Sequence, residues 1–198
     1  TAHNDIKLNA GVSATGTGKL NLVLNANSDA AGGGVATLGS SATLALKGGA
    51  ISSSNGTALN SNGGTLNQVT MATAWNIDGS TTISGGLALN NATVTINGTV
   101  LQYSGTQSIT GTGTIVFGTG NSQLYGTGTG QTLTIGSGIT LNASASGTAR
   151  LGFYSVDTVV VQGTLNANTA KTWYTASLNN AGTINVSAGV FNLGQAGS

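Results

Sequence analysis

The feature that most constrains this chain is a run of very short apolar blocks with a period of two. Lys19-Leu20-Asn21-Leu22-Val23-Leu24-Asn25 alternates in this way, as do Ala42-Thr43-Leu44-Ala45-Leu46, Thr93-Val94-Thr95-Ile96-Asn97, Thr132-Leu133-Thr134-Ile135 and Thr183-Ile184-Asn185-Val186. Alternation places every second side chain on one face, the signature of a half-buried strand. The blocks are separated by Gly, Asn and Ser, which tolerate tight corners and left-handed backbone. Their apolar centres recur every few residues, as at Ile77, Ile83, Leu89 and Ile96 and again at Ile135 and Leu141. Such spacing leaves no room for helices between strands, and no window carries the i, i+3, i+4, i+7 pattern of an amphipathic helix. Hairpins need longer strands joined by defined two-residue loops. Three short strands per turn of a coil meet the pattern, which predicts an all-β fold: a single-stranded right-handed parallel β-helix, or β-solenoid, occupying residues 1–198 as one domain.

Repeats set the coil size. Leu-Asn-Ala occurs at Leu8, Leu24, Leu141 and Leu165, and a Gly-Thr-apolar step at Gly64, Gly98, Gly113, Gly163 and Gly182. The later intervals bracket a coil of roughly 20 residues, hence nine or ten coils in a rod roughly 45 Å long. On that period Tyr103 would stack on Tyr125 and Tyr154 on Tyr174. The glycine-free stretch Gln68–Trp75 is expected to form a wider coil or a loop.

Composition decides whether such a chain folds at all. Leu, Ile, Val and Phe make up 45 of the 198 residues, about 23%, just above the level at which burial stops offsetting ordering entropy. Net charge is only +1, and charged residues are 5% of the chain against about 25% ordinarily. Stacked coils explain the deficit: equivalent positions repeat about every 4.8 Å, so like charges repel while Asn, Thr and Ser form side-chain ladders. Absence of Pro leaves every backbone N–H free for pairing. Absence of Cys removes disulfides, thiolate metal sites and thiol nucleophiles. No apolar run reaches the length of a membrane helix, and no charged-then-apolar leader opens the sequence, which reads as a mature chain or an excised piece.

Residues 5 to about 66 resemble the solenoid repeats of two-partner secreted, filamentous haemagglutinin-type adhesins. The resemblance is carried by Asp5-Ile6-Lys7-Leu8-Asn9-Ala10, Gly18-Lys19-Leu20-Asn21-Leu22-Val23-Leu24-Asn25, the turn Asp29-Ala30-Ala31-Gly32-Gly33-Gly34, Gly48-Gly49-Ala50-Ile51 and Ser61-Asn62-Gly63-Gly64-Thr65-Leu66. Residues 67–198 look like the strand repeats of autotransporter passengers. The family's secretion-recognition motifs are not present. The resemblance implies a secreted protein of the bacterial cell surface or extracellular matrix: a structural or adhesive fibre element of biofilm type, with self-association into filaments and a host or matrix glycan or protein as partner.

Chemistry is sparse. A His-assisted nucleophile would rest on His3, the only histidine, two residues from the start, and the only acids are Asp5, Asp29, Asp78 and Asp157, with no Glu. A glycosidase pair needs two carboxylates at a set separation. A polysaccharide lyase, which also resembles this fold, needs an acidic Ca²⁺ cluster beside a basic residue. Arg150 and Asp157 read as a surface ion pair. The Asp29–Gly34 turn offers one carboxylate where calcium wants six to eight oxygens. The glycine alternations at 110–114 and 125–130 lack the Lys of a phosphate cradle. Lys7, Lys19, Lys47, Arg150 and Lys171 are scattered and matched by acids, so no nucleic-acid partner is indicated. The reading is therefore a non-enzyme with no catalytic residue, no metal site and no cofactor.

Two surface features remain. Trp75, Tyr103, Tyr125, Tyr154, Trp173 and Tyr174 could stack on sugar rings, although Trp75 and Trp173 fit better as core plugs. Thr-x-Thr pairs at 15/17, 93/95, 112/114, 127/129 and 132/134 resemble the threonine arrays of ice-binding solenoids. Five sequons, at Asn55, Asn91, Asn97, Asn142 and Asn185, arise by chance in so Asn- and Thr-rich a chain.

Overall fold

A computed structural model describes residues 4–27, 34–144 and 146–194. Among them lie 21 strands and no helix, and every strand pairing is parallel. The chain winds as a parallel β-solenoid of about 7 turns with about 22 residues per coil. The turn count falls below the expected nine or ten because several coils carry outward loops that lengthen them.

Three ladders run along the axis, one per face. The apolar centres name them in order: Ile77 sits on the first face, Ile83 on the second, Leu89 on the third, and Ile96 returns to the first directly against Ile77. The first ladder carries inward Trp75, Val94, Ile115, Leu141 and Leu165 in register. The second carries Leu44, Leu66, Ile83 and Tyr103, and the third carries Val69, Leu87, Ile109, Ile135 and Val161. All of these side chains are buried. The core is thus a continuous column built by neighbouring coils, the one-dimensional arrangement of repeat proteins.

Coil lengths vary while the rungs stay aligned. Leu59 pairs with Trp75 after 16 residues, and Ile115 with Leu141 after 26. The short coil contains Gln68–Trp75, so the expected widening there is not found. Gln68 itself takes φ 50° and turns the corner, with a register shift beside it.

Large side chains are accommodated by small ones on the neighbouring rung. Trp75 Nε1 donates to Ser61 Oγ at 2.6 Å, and Ser61 is a buried hydroxyl in a column otherwise occupied by Leu38 and Ile77. Ala149 stacks beneath Trp173, whose indole meets the Phe117 ring edge-on at 4.9 Å. Tyr103 points inward opposite Gly126, where an added Cβ would lie 3.1 Å from the phenol ring. The Gly-Thr-apolar steps mark two different corners: Gly64 leads into the second face, Gly113, Gly163 and Gly182 into the first. At the end rungs Ile6, Leu8, Val12, Leu20 and Leu22, and likewise Leu178, Ile184 and Phe191, are only partly buried.

Candidate functional site

The outer surface carries two kinds of order. On the first face Thr93, Thr114, Thr140, Thr164 and Thr183 are successive register partners, one per coil. Two positions further along each strand runs an asparagine row. Asn166 donates to Asn142, Asn185 to Asn166 and, on earlier coils, Asn76 to Asn60, each at 2.9 Å. These amides bond along the axis as the low charge of the chain implied. The Thr-x-Thr pairs themselves do not form one array. Thr93/Thr95 lie on the first face and Thr132/Thr134 on the third, Thr112 pairs at a corner with Asn90, and 15/17 and 127/129 fall outside strands.

The second face is different towards its C-terminal end. Gln123, Arg150, Tyr174 and Asn192 form one outward row on four successive coils. The Arg150 guanidinium lies 5.4 Å from the Phe153 ring centre and 5.2 Å from that of Tyr174. Phe153 in turn contacts Tyr125 at 5.1 Å and Tyr154 at 5.3 Å. The only arginine of the chain and three of its four tyrosines are therefore collected in one place. All five side chains are half-buried, and Arg150 Nη1 has no hydrogen-bond acceptor.

A buried carboxylate holds this platform in place. Asp157 is fully shielded, and its Oδ1 accepts the amide of Gln131 at 3.1 Å while Oδ2 accepts the amide of Tyr154 at 3.2 Å. The Asp157 amide closes the loop onto the Tyr154 carbonyl at 3.0 Å. Asp157 thus pins the segment that presents Phe153 and Tyr154 and is not a surface partner of Arg150. The expected ion pair is absent because backbone amides, which cannot leave, satisfy the carboxylate.

The remaining candidates separate. Trp75, Trp173 and Tyr103 are buried in the core, so only Tyr125, Tyr154 and Tyr174 stay available at the surface. The expected tyrosine stacks do not form. Gln102 faces Tyr125 and Tyr103 faces Gly126, so an offset of one residue sends the two rings to opposite sides of the sheet. Tyr174 stacks on Arg150 instead of Tyr154. Asp5 sits 3.9 Å from Lys7 at the surface, and Asp78 accepts from Asn97 at 2.8 Å. No group of three or more His, Cys, Asp or Glu converges among the described residues; His3 and Asp29 lie outside them. No helix is long and apolar enough to cross a membrane.

Lys171 was legible only as a scattered cation. It is fully buried, and its Nζ donates to the carbonyls of Gly118 at 2.6 Å, Gly120 at 3.0 Å and Ser146 at 2.6 Å. Burial pushes its pKa below the ordinary lysine range. Tyr103 goes the other way: burial first, then the Asp157 charge, push its phenol up to about 12, with the Gly126 backbone acting against them. Both groups serve the interior, and neither faces a cleft.

Fold and surface together define a β-solenoid repeat protein with a polar ladder on one face and an aromatic platform on another. Comparison with family models, with curated proteins and with solved structures finds no match.

Proposed function

We propose that this solenoid is a stiff structural and adhesive element of a bacterial surface or extracellular matrix, not an enzyme. The observation that carries the reading is the continuity of three parallel ladders through coils of unequal length, with bonded asparagine rows outside and an unbroken apolar column inside. A rod of this kind resists bending because every rung is hydrogen-bonded to two neighbours. Its neutral surface presents an extended face to a partner, and the partly buried apolar residues of the end rungs suit a further coil stacked upon them, from a longer chain or a second copy. The chain's few acids are spent on an amide cradle, a surface lysine and an asparagine, which favours a binding role over lyase chemistry. Purified protein should attach to bacterial or host-cell surfaces above the level of a scrambled-face control, and electron microscopy should show rods that lengthen with concentration. Absence of attachment together with a compact monomer at all concentrations overturns the reading.

A second reading, ice binding, is favoured by the single-file threonine ladder on the first face. Regular hydroxyl and methyl groups on a flat, uncharged sheet can order a water layer. Thermal hysteresis that disappears in Thr140→Lys/Thr164→Lys would support it, and no hysteresis in the wild-type protein removes it.

A further inference from the structure

The aromatic platform of the second face does not serve the solenoid's own folding in any evident way. Elsewhere along that face the outward rows carry small or uncharged residues, such as Thr43, Thr65 and Thr82 or Ala45, Asn67 and Ser84. Here the same rows carry Tyr125, Arg150 and Tyr174, with Phe153 and Tyr154 brought alongside by the Asp157-pinned loop. We infer that Tyr125, Arg150, Phe153, Tyr154 and Tyr174 form a binding site for an acidic polysaccharide lying along the solenoid axis, a uronate carboxylate pairing with Arg150. This deepens the adhesive reading above and rests on it.

Three observations select that ligand. Arg150 has rings on both sides but no carboxylate within ion-pair distance, so its charge is oriented and left uncompensated. A guanidinium held in this way is suited to a planar carboxylate. Tyr125, Arg150 and Tyr174 lie on three successive coils, hence about 4.8 Å apart per step, a spacing close to that of consecutive sugar rings in an extended chain. Tyr and Phe faces accept the apolar side of a pyranose, while the amides of Gln123 and Asn192, at the ends of the Arg150 row, can bond its hydroxyls. A peptide is disfavoured because the strands carrying this row are paired on both sides, leaving no free edge to extend. A nucleic acid is disfavoured because one cation neutralises too few phosphates.

The test is titration calorimetry of the full chain with a hexamer of galacturonic acid, and with a neutral maltohexaose of equal length. The acidic hexamer should bind, and binding should weaken by about tenfold or more in Arg150→Gln and in Tyr174→Ala, while Lys47→Gln on another part of the surface changes nothing. Thermal melts verify folding; if Arg150→Gln does not fold, Tyr154→Ser takes its place and should weaken binding in the same direction. No binding of the acidic hexamer, equal binding of the neutral one, undiminished binding in these variants, or an equal loss in Lys47→Gln overturns the site. Cell attachment that persists in Arg150→Gln rejects this site and leaves the adhesive reading standing; hexamer binding by a protein that attaches to no surface keeps the site and rejects that reading.

Discussion

Gly163 offers a direct measurement of how tightly the coils are stacked. Its φ is not left-handed, so alanine there meets no backbone penalty, and any effect is steric. A Cβ at this position would collide with the carbonyl oxygen of Ile139 and lie 2.6 Å from that of Gly136, both backbone atoms of the coil below. Ordinary separation demands a local shift of roughly 1 Å against a rung spacing of about 4.8 Å. That shift also disturbs the bond from the Thr183 amide to the Gly163 carbonyl, 2.9 Å long, one coil further on. Overpacking of about 1–3 kcal/mol and about 1 kcal/mol for a weakened hydrogen bond combine to a loss of about 3 kcal/mol for Gly163→Ala. Two other glycines calibrate the value. Gly18 has open space and no left-handed φ, so Gly18→Ala should be neutral or stabilising by up to about 1 kcal/mol. Gly130 has open space but φ +70°, so Gly130→Ala should cost about 1–2 kcal/mol from backbone strain alone. Urea unfolding followed by tryptophan fluorescence reads all three, since Trp75 and Trp173 are buried at opposite ends of the rod. With a slope of about 2 kcal/mol per molar, Gly163→Ala should shift the midpoint by about 1.5 M. A Gly163→Ala protein as stable as Gly18→Ala would refute the carbonyl-contact argument.

The other expectations concern buried polar groups. Ser61→Ala strands the Trp75 indole N–H and should cost about 1–3 kcal/mol, whereas the second step, Trp75→Phe made in the Ser61→Ala background, should lose less than Trp75→Phe alone; an additive double-mutant cycle in chemical denaturation contradicts the 2.6 Å bond. The Tyr103 hydroxyl is buried without a hydrogen-bond partner, so Tyr103→Phe should be at least as stable as the wild type at pH 7. Because the phenol's pKa rises from 10.0 to about 12 on folding, the stability that its neutral form retains is complete below pH 10 and is lost as the pH climbs towards 12; Tyr103→Phe should abolish this loss in a pH series of unfolding curves. Lys171 has the opposite sign. Its folded pKa lies below the unfolded value of about 10.4, so the unfolded chain binds the extra proton between the two values and stability rises with pH across that window. Lys171→Met should flatten the rise, and a wild-type curve falling throughout that interval in the Tyr103→Phe background counts against the assignment.

Particular residues show how far the reading of the chain could go. Ile77, Ile83, Leu89 and Ile96 declare three strands per turn, because a period-two block only makes sense with one face buried, and blocks so short must be paired by neighbours. Asn142, Asn166 and Asn185 likewise declare a stacked exterior. The aromatic candidates were legible as a set but not as places. Tyr103 and Tyr125, 22 residues apart, look equivalent at the level of coil length, yet a one-residue register offset buries the first and exposes the second. Phe153 was not a candidate at all; its only signal was its position next to Tyr154 in a segment bounded by Gly152 and Asp157.

What the sequence determined alone was the architecture: its period, its lack of charge and its glycine corners exclude helices, hairpins and a bulky globular core. Only the tertiary structure decided which side chains meet, since coils of 16 to 26 residues keep register through corners whose lengths no fixed period foretells. Arg150 reaches Tyr174 and not Asp157, and Lys171 finds three carbonyls inside the rod. The physical reason is that hydrogen-bonded rungs align locally, strand against strand, while the loops between them absorb the differences in length; contacts across coils therefore follow from the register and not from distance along the chain.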